Sequence, residues 1–75
     1  MSEFFVFVNE RPVKVVSGAT VLDSVMALDP ALGTQLAAGD AQATDARGIA
    51  VPSDAPVRPG GIVRALARRR ADADA

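Results

Sequence analysis

Between Thr20 and Pro30 the chain carries the start signal and the stop signal of one short helix, and this pairing limits the possible folds more than any other feature. Thr20 with Asp23 three places on is an acidic capping box, in which each side chain satisfies a backbone N–H left open by the other's position. Val21, Leu22, Val25, Leu28 and Met26 then fall on one broad apolar stripe at helical spacing, with Asp23, Ser24 and Ala27 off it. Asp29-Pro30 closes the segment, because the proline ring disfavours helical geometry in the residue before it and brings no N–H to the ladder. A helix of roughly 8–10 residues is marginal by itself in water. It requires a surface to cover, and the flanking segments read as sheet.

The 75 residues provide for one domain, and a chain of that size buries only about 60–65% of its unfolded surface. Hydrophobic residues make up 49%, weighted towards alanine, with three Phe as the only aromatics, so the core should be small and aliphatic. Cys and His are both absent. Their absence excludes disulfides, thiolate and imidazole metal ligands, and every Ser-His or Cys-His nucleophile. A non-enzymatic chain without cofactor or metal follows as the expectation. No apolar run approaches the roughly 18 residues of a membrane span, and Glu3 stands where a signal peptide has basic residues. A soluble, cytoplasmic protein with no membrane partner is expected.

Along the chain, Phe4-Phe5-Val6-Phe7-Val8 is a continuous apolar run, which predicts a central strand covered on both faces. Asn9 to Pro12 reads as a turn and Val13 to Val16 as a second strand, where Pro12 costs no ladder bond in an edge position. Ser17-Gly18 turns the chain into the capped helix. Leu32 and Leu36, four apart, predict one loose helical turn within 31–38. Ala41 to Thr44 reads as a short strand, Asp45 to Gly48 as a turn, and Ile49 to Val51 as a brief strand stopped by Pro52. Pro56, Pro59, Gly60 and Gly61 make an irregular connection into residues 62–67. That last run reads equally as helix, on propensity, or as strand, on its β-branched opening Ile62-Val63.

The order strand, hairpin, strand, capped helix, short irregular strands, Gly-containing turn and final run resembles that of the ubiquitin-like β-grasp fold. It is similar in particular to the ThiS/MoaD sulfur-carrier family. The residues that carry the likeness are Phe5 to Pro12 as the opening hairpin, Ser17-Gly18-Ala19-Thr20-Val21 leading into the helix, and Arg58-Pro59-Gly60-Gly61-Ile62-Val63 as the entry to the last strand. The resemblance implies an α+β fold: a single β-grasp domain over residues 1–70, with a mixed sheet of four to five strands packed on one main helix. Residues 71–75 are then expected to form a disordered tail. It also implies that residues 62–67 are a strand, parallel to the first in the middle of the sheet. Sulfur carriers end in Gly-Gly, whose carboxylate is adenylated and converted to a thiocarboxylate. This sequence runs Arg69-Arg70-Ala71-Asp72-Ala73-Asp74-Ala75 instead, and Gly60-Gly61 precedes the last strand.

The net charge is −1, yet Arg58, Arg64, Arg68, Arg69 and Arg70 share a stretch free of acids. Arg64, Arg68, Arg69 and Arg70 are the candidate partner-binding residues, fitted to an acidic patch on a protein, with Arg64 the one to hold a fixed carboxylate. Nucleic acid fits less well, because no aromatic interleaves the arginines and Asp72 and Asp74 adjoin them. The oxygen-bearing residues Asp40, Gln42, Thr44 and Asp45 lack the sixth-position Gly and twelfth-position Glu of a calcium loop, and read as a turn. The leading expectation is a non-catalytic module, not itself thiocarboxylated, that docks its sheet face or last strand onto a protein. By resemblance that protein would be an adenylating or sulfur-transfer enzyme. A working sulfur carrier with an atypical or processed carboxy terminus, and an RNA- or ribosome-associated module, stand as the alternatives.

Overall fold

The computed structural model describes residues 2–67. Four strands and two helices follow in the order β1 (Glu3–Val8), β2 (Arg11–Val16), α1 (Val21–Leu28), α2 (Pro30–Ala38), β3 (Ala41–Thr44) and β4 (Ile62–Ala67). The strands form one mixed sheet in the order β2-β1-β4-β3. β1 and β4 pair in parallel at its centre, and both outer pairs are antiparallel. Residues 62–67 are therefore a strand. Inside the hydrogen-bonded sheet, tertiary pairing outweighs the modest helical preference of Ala, Leu and Arg.

The turn between β1 and β2 consists of Asn9 and Glu10 alone, both in the left-handed region with φ 51° and 70°. Two positive φ values in a two-residue loop give the twist that antiparallel strands need. Residues flanking such a turn are hydrogen-bonded partners, and these pairs recur at every second position. Val8–Arg11, Val6–Val13 and Phe4–Val15 thus exchange backbone bonds, while Pro12 falls where its missing N–H would face outward. The Asn9 side chain extends the ladder beyond β1. Its amide accepts from the Ala65 N–H at 2.9 Å and donates to the Ala65 carbonyl at 3.1 Å.

α1 starts where the capping box places it: Asp23 N–H donates to Thr20 Oγ1 at 3.1 Å and Thr20 N–H to Asp23 Oδ2 at 3.0 Å. The next two amides are closed from outside, Val21 N–H by the Ala55 carbonyl and Leu22 N–H by that of Ser53, each at 2.8 Å. Val21 and Val25 are buried and Leu22 and Leu28 half-buried against the sheet. Two residues depart from the expected stripe. Met26 is not buried against the sheet (36% exposed) and lies over Gly33 of the other helix, whereas Ser24 is fully buried with its hydroxyl donating to the Val21 carbonyl at 2.7 Å. A small side chain that satisfies its own polar atom fits where a thioether would overfill.

In place of one loose turn, residues 30–38 form a nine-residue helix. Asp29 ends α1 and also caps α2, its Oδ1 accepting from Ala31 N–H at 3.1 Å and Leu32 N–H at 3.3 Å. Pro30 sits at the first helical position, where its missing N–H costs nothing. Ile49 to Val51, expected as a strand, makes an isolated bridge, Thr44 to Ala50, with bonds from Val51 N–H to the Ala43 carbonyl at 3.0 Å and from Asp45 N–H to the Ile49 carbonyl at 2.9 Å. The sheet accordingly has four strands. The core is Val6, Val8, Val13, Val15, Val21, Val25, Leu36 and Val63 with four alanines, and none of the three Phe is buried in it.

Candidate functional site: an open sheet face

Both helices pack on one side of the sheet, as the burial of alternate strand residues records. Val6, Val8, Val13, Val15, Ala41, Ala43, Val63 and Ala65 point into the core, and their neighbours point the other way. The first strand is therefore central in its pairing but covered on one face only, which corrects the expectation of two covered faces. Its outward residues are Phe5 and Phe7, so Phe4, Val6 and Val8, not Phe5, lie on the side of α1.

Register assembles the open face. Phe7 lies between Pro12 of β2 and Ile62 of β4, giving an apolar row across three strands, and Phe5 lies opposite Lys14. Leu66 stands opposite Gln42 and Arg64 opposite Thr44. Phe5, Phe7, Val16, Ile62 and Leu66 are all exposed, Phe5 by 51% and Leu66 by 71%. A surface with this many large apolar side chains on one flat side is unusual for a chain with so small a core. Two basic groups frame the aromatic centre. Lys14 Nζ lies 5.8 Å from the Phe5 ring centroid and 3.8 Å from the Glu3 carboxylate. Arg64 lies 3.9 Å from the Glu10 carboxylate, with both side chains more than half exposed. Exposed pairs of this kind contribute about 0–1 kcal/mol and can exchange partners readily.

Of the residues expected to bind a partner, Arg64 is on this face and its carboxylate is Glu10 of the hairpin turn. Arg68, Arg69 and Arg70 lie outside the described residues. The apolar members, Phe5, Phe7, Ile62 and Leu66, were not among the candidates. The signal that finds them is the polar alternation of β2, since the two-residue turn places Phe5 and Phe7 on the same side as Lys14 and Pro12.

Of the four oxygen-bearing residues, Gln42 and Thr44 belong to β3, Asp40 immediately precedes it and Asp45 opens the turn after it. Asp45 holds that turn, its Oδ1 accepting from Arg47 N–H at 2.8 Å and Ile49 N–H at 3.1 Å, with the Arg47 guanidinium 3.5 Å from Oδ2. The Ile49 N–H above all, together with Arg47, holds the Asp45 carboxyl below the usual aspartate range. Among the described residues no three potential metal ligands come together, and no helix is long and apolar enough to cross a membrane. No protein-family model, curated protein or solved structure matches the chain.

Proposed function

We propose that this protein is a non-catalytic docking module of the ubiquitin-like β-grasp type, akin to the ThiS/MoaD carriers, which binds a protein partner through its open sheet face. The single observation that carries the reading is the row Pro12–Phe7–Ile62 with Phe5 and Leu66 beside it, apolar, exposed and framed by Lys14 and Arg64. Aromatic side chains with a polar rim are what buried interface centres are made of. The order β2-β1-β4-β3 with a parallel central pair supports the β-grasp assignment, since that is the arrangement implied by the family resemblance. An edge mode of binding has less support, because Pro12 interrupts the outer N–H row of β2. The RNA-associated reading also has less, because the exposed face is mainly apolar and its two basic groups, Lys14 and Arg64, are accompanied by the carboxylates of Glu3 and Glu10, which leaves little net positive charge for a polyanion.

The test is comparative affinity purification from cells that express the protein naturally, using the wild-type chain, Phe5→Ser with Leu66→Ser, and Gln35→Ser on α2. Phe5 and Leu66 are each more than half exposed, so the double variant should keep its fold. A protein retained by wild type and by Gln35→Ser but lost with the double variant is the expected result. Equal retention by all three would remove the sheet face as the docking surface.

A further inference from the structure

A cleft of about 590 Å³ opens at the end of the sheet where β3 stops; it adjoins the open face at Ile62 and includes neither Phe5 nor Leu66. Its size is that of pockets which hold small ligands or a few residues of peptide. Its lining is largely apolar, with Val21, Val51, Val57 and Val63, the first and last of them buried and forming its floor, and it includes Arg47 and Arg58. The amides at the start of α1 are already bonded to the Ala55 and Ser53 carbonyls, so the helix terminus presents no anion site here. Asp45 and Arg47 neutralise each other. Arg58 is exposed and forms no ion pair among the described residues, which leaves one uncompensated positive charge beside an apolar floor.

The backbone adds a second element. The Gly61 carbonyl and the main-chain groups of Val63 and Ala65 face β1 and Asn9, as the bonds from Phe7 N–H to the Gly61 carbonyl at 2.8 Å and from Asn9 N–H to that of Val63 at 2.9 Å show. By alternation the N–H and C=O of Ile62 point towards the side of β3. There β3 ends at Thr44, opposite Arg64, so nothing continues the ladder opposite Ile62.

We propose that this cleft takes the free carboxy terminus of an extended peptide ending in an aliphatic residue, with the terminal carboxylate on Arg58, the aliphatic side chain on the valine floor and the peptide backbone against Ile62. Strand addition at an open edge supplies the main-chain bonds, and a guanidinium is the natural partner of a carboxylate. A simple organic acid would satisfy Arg58 and the floor but leave the Ile62 edge unanswered. A phosphodiester chain would meet one free guanidinium and an apolar surface that it has no group to fill.

The test is a titration of the ¹⁵N-labelled full chain, followed by amide resonances, with acetyl-Ala-Ala-Val bearing a free carboxylate, the same peptide as its terminal amide, and octanoate. The free acid should shift the Gly61, Ile62 and Val63 amides saturably, and the terminal amide should bind at least about tenfold more weakly. Arg58→Ala should bring the acid down to the level of the amide while leaving resonances of the sheet face in place. The proposal is overturned by an absence of saturable shifts up to about 5 mM, by equal affinity for acid and amide, or by octanoate matching the peptide. Shifts confined to Phe5, Phe7 and Leu66 would overturn it as well. Docking through the sheet face is tested separately, since Phe5→Ser and Leu66→Ser leave the cleft walls intact.

Discussion

Three residues carry more of this fold than their size indicates. Val25 is fully buried under the sheet while Leu22 is half-buried, so Val25→Ala is expected to cost roughly 2–3 kcal/mol and Leu22→Ala roughly 1–2 kcal/mol despite removing more atoms. Urea melts of the two variants check the order, and a larger loss for Leu22 would mean that α1 is rotated on the sheet. Gly33 is where the helices cross: a Cβ there would lie 2.8 Å from the Met26 Cα, a backbone atom that cannot step aside. Gly33→Ala should therefore destabilise by roughly 1–3 kcal/mol, although alanine is the better helix former. Asn9 combines a left-handed backbone with the amide clamp on Ala65. Asn9→Gly keeps the first and loses the second, and should cost about 1–2 kcal/mol. Asn9→Ala loses both and should cost about 1 kcal/mol more, a difference that equilibrium unfolding can resolve.

At the scale of elements, each connection is closed by a side chain with two tasks or by a glycine. Asp29 terminates α1 and initiates α2. Gly60 takes φ 74° and Gly61 passes so near that a Cβ would meet the Arg58 carbonyl at 2.9 Å, which is why both stand before β4. Asp45 fastens the turn after β3, and its protonation has a defined sign. The folded-state pKa lies below the ordinary 3.8, so the stabilisation is fully present above that value and is lost as pH falls through the lower, folded one. On acidification the Arg47 and Ile49 amide resonances should move together with a midpoint below 3.8. In Asp45→Asn that acid transition should vanish, and its persistence would show that another group organises the turn.

At the scale of the whole molecule, the sheet divides the protein into a covered and an open side, and β4, the last strand among the described residues, lies at its centre beside β1. β4 joins β1–β2 to β3, with Phe7 and Val8 on one flank and Ala41 to Thr44 on the other. Ending the chain after Gly61 would leave β3 without a neighbour and β1 an edge, while withdrawing Val63 and Ala65 from the core. Such a truncation should show no cooperative thermal transition by circular dichroism, because a hairpin with two short helices cannot bury enough apolar surface to fold. A sharp melt would contradict a parallel centre built on β4.

The sequence by itself determined the features that depend on neighbours a few residues apart. The capping box at Thr20 and Asp23, the stop at Asp29-Pro30, the hairpin and the small aliphatic core were all legible, because capping, φ restriction and turn chemistry act locally. α2 was half legible. Asp29-Pro30 and Gly39 mark both its ends, but Gly33 in its middle argues against a helix until the close crossing with Met26 gives that glycine its reason. The rest was decided by tertiary structure. In Phe4 to Val8 both faces are apolar, so no periodicity says which one is covered, and only the two helices choosing the Val6–Val8 side make Phe5 and Phe7 a surface. Ile62 to Ala67 was balanced between helix and strand, and it became a strand because the open edges of β1 and β3 supply hydrogen-bond partners from 20 and more residues away, beyond the reach of any local signal.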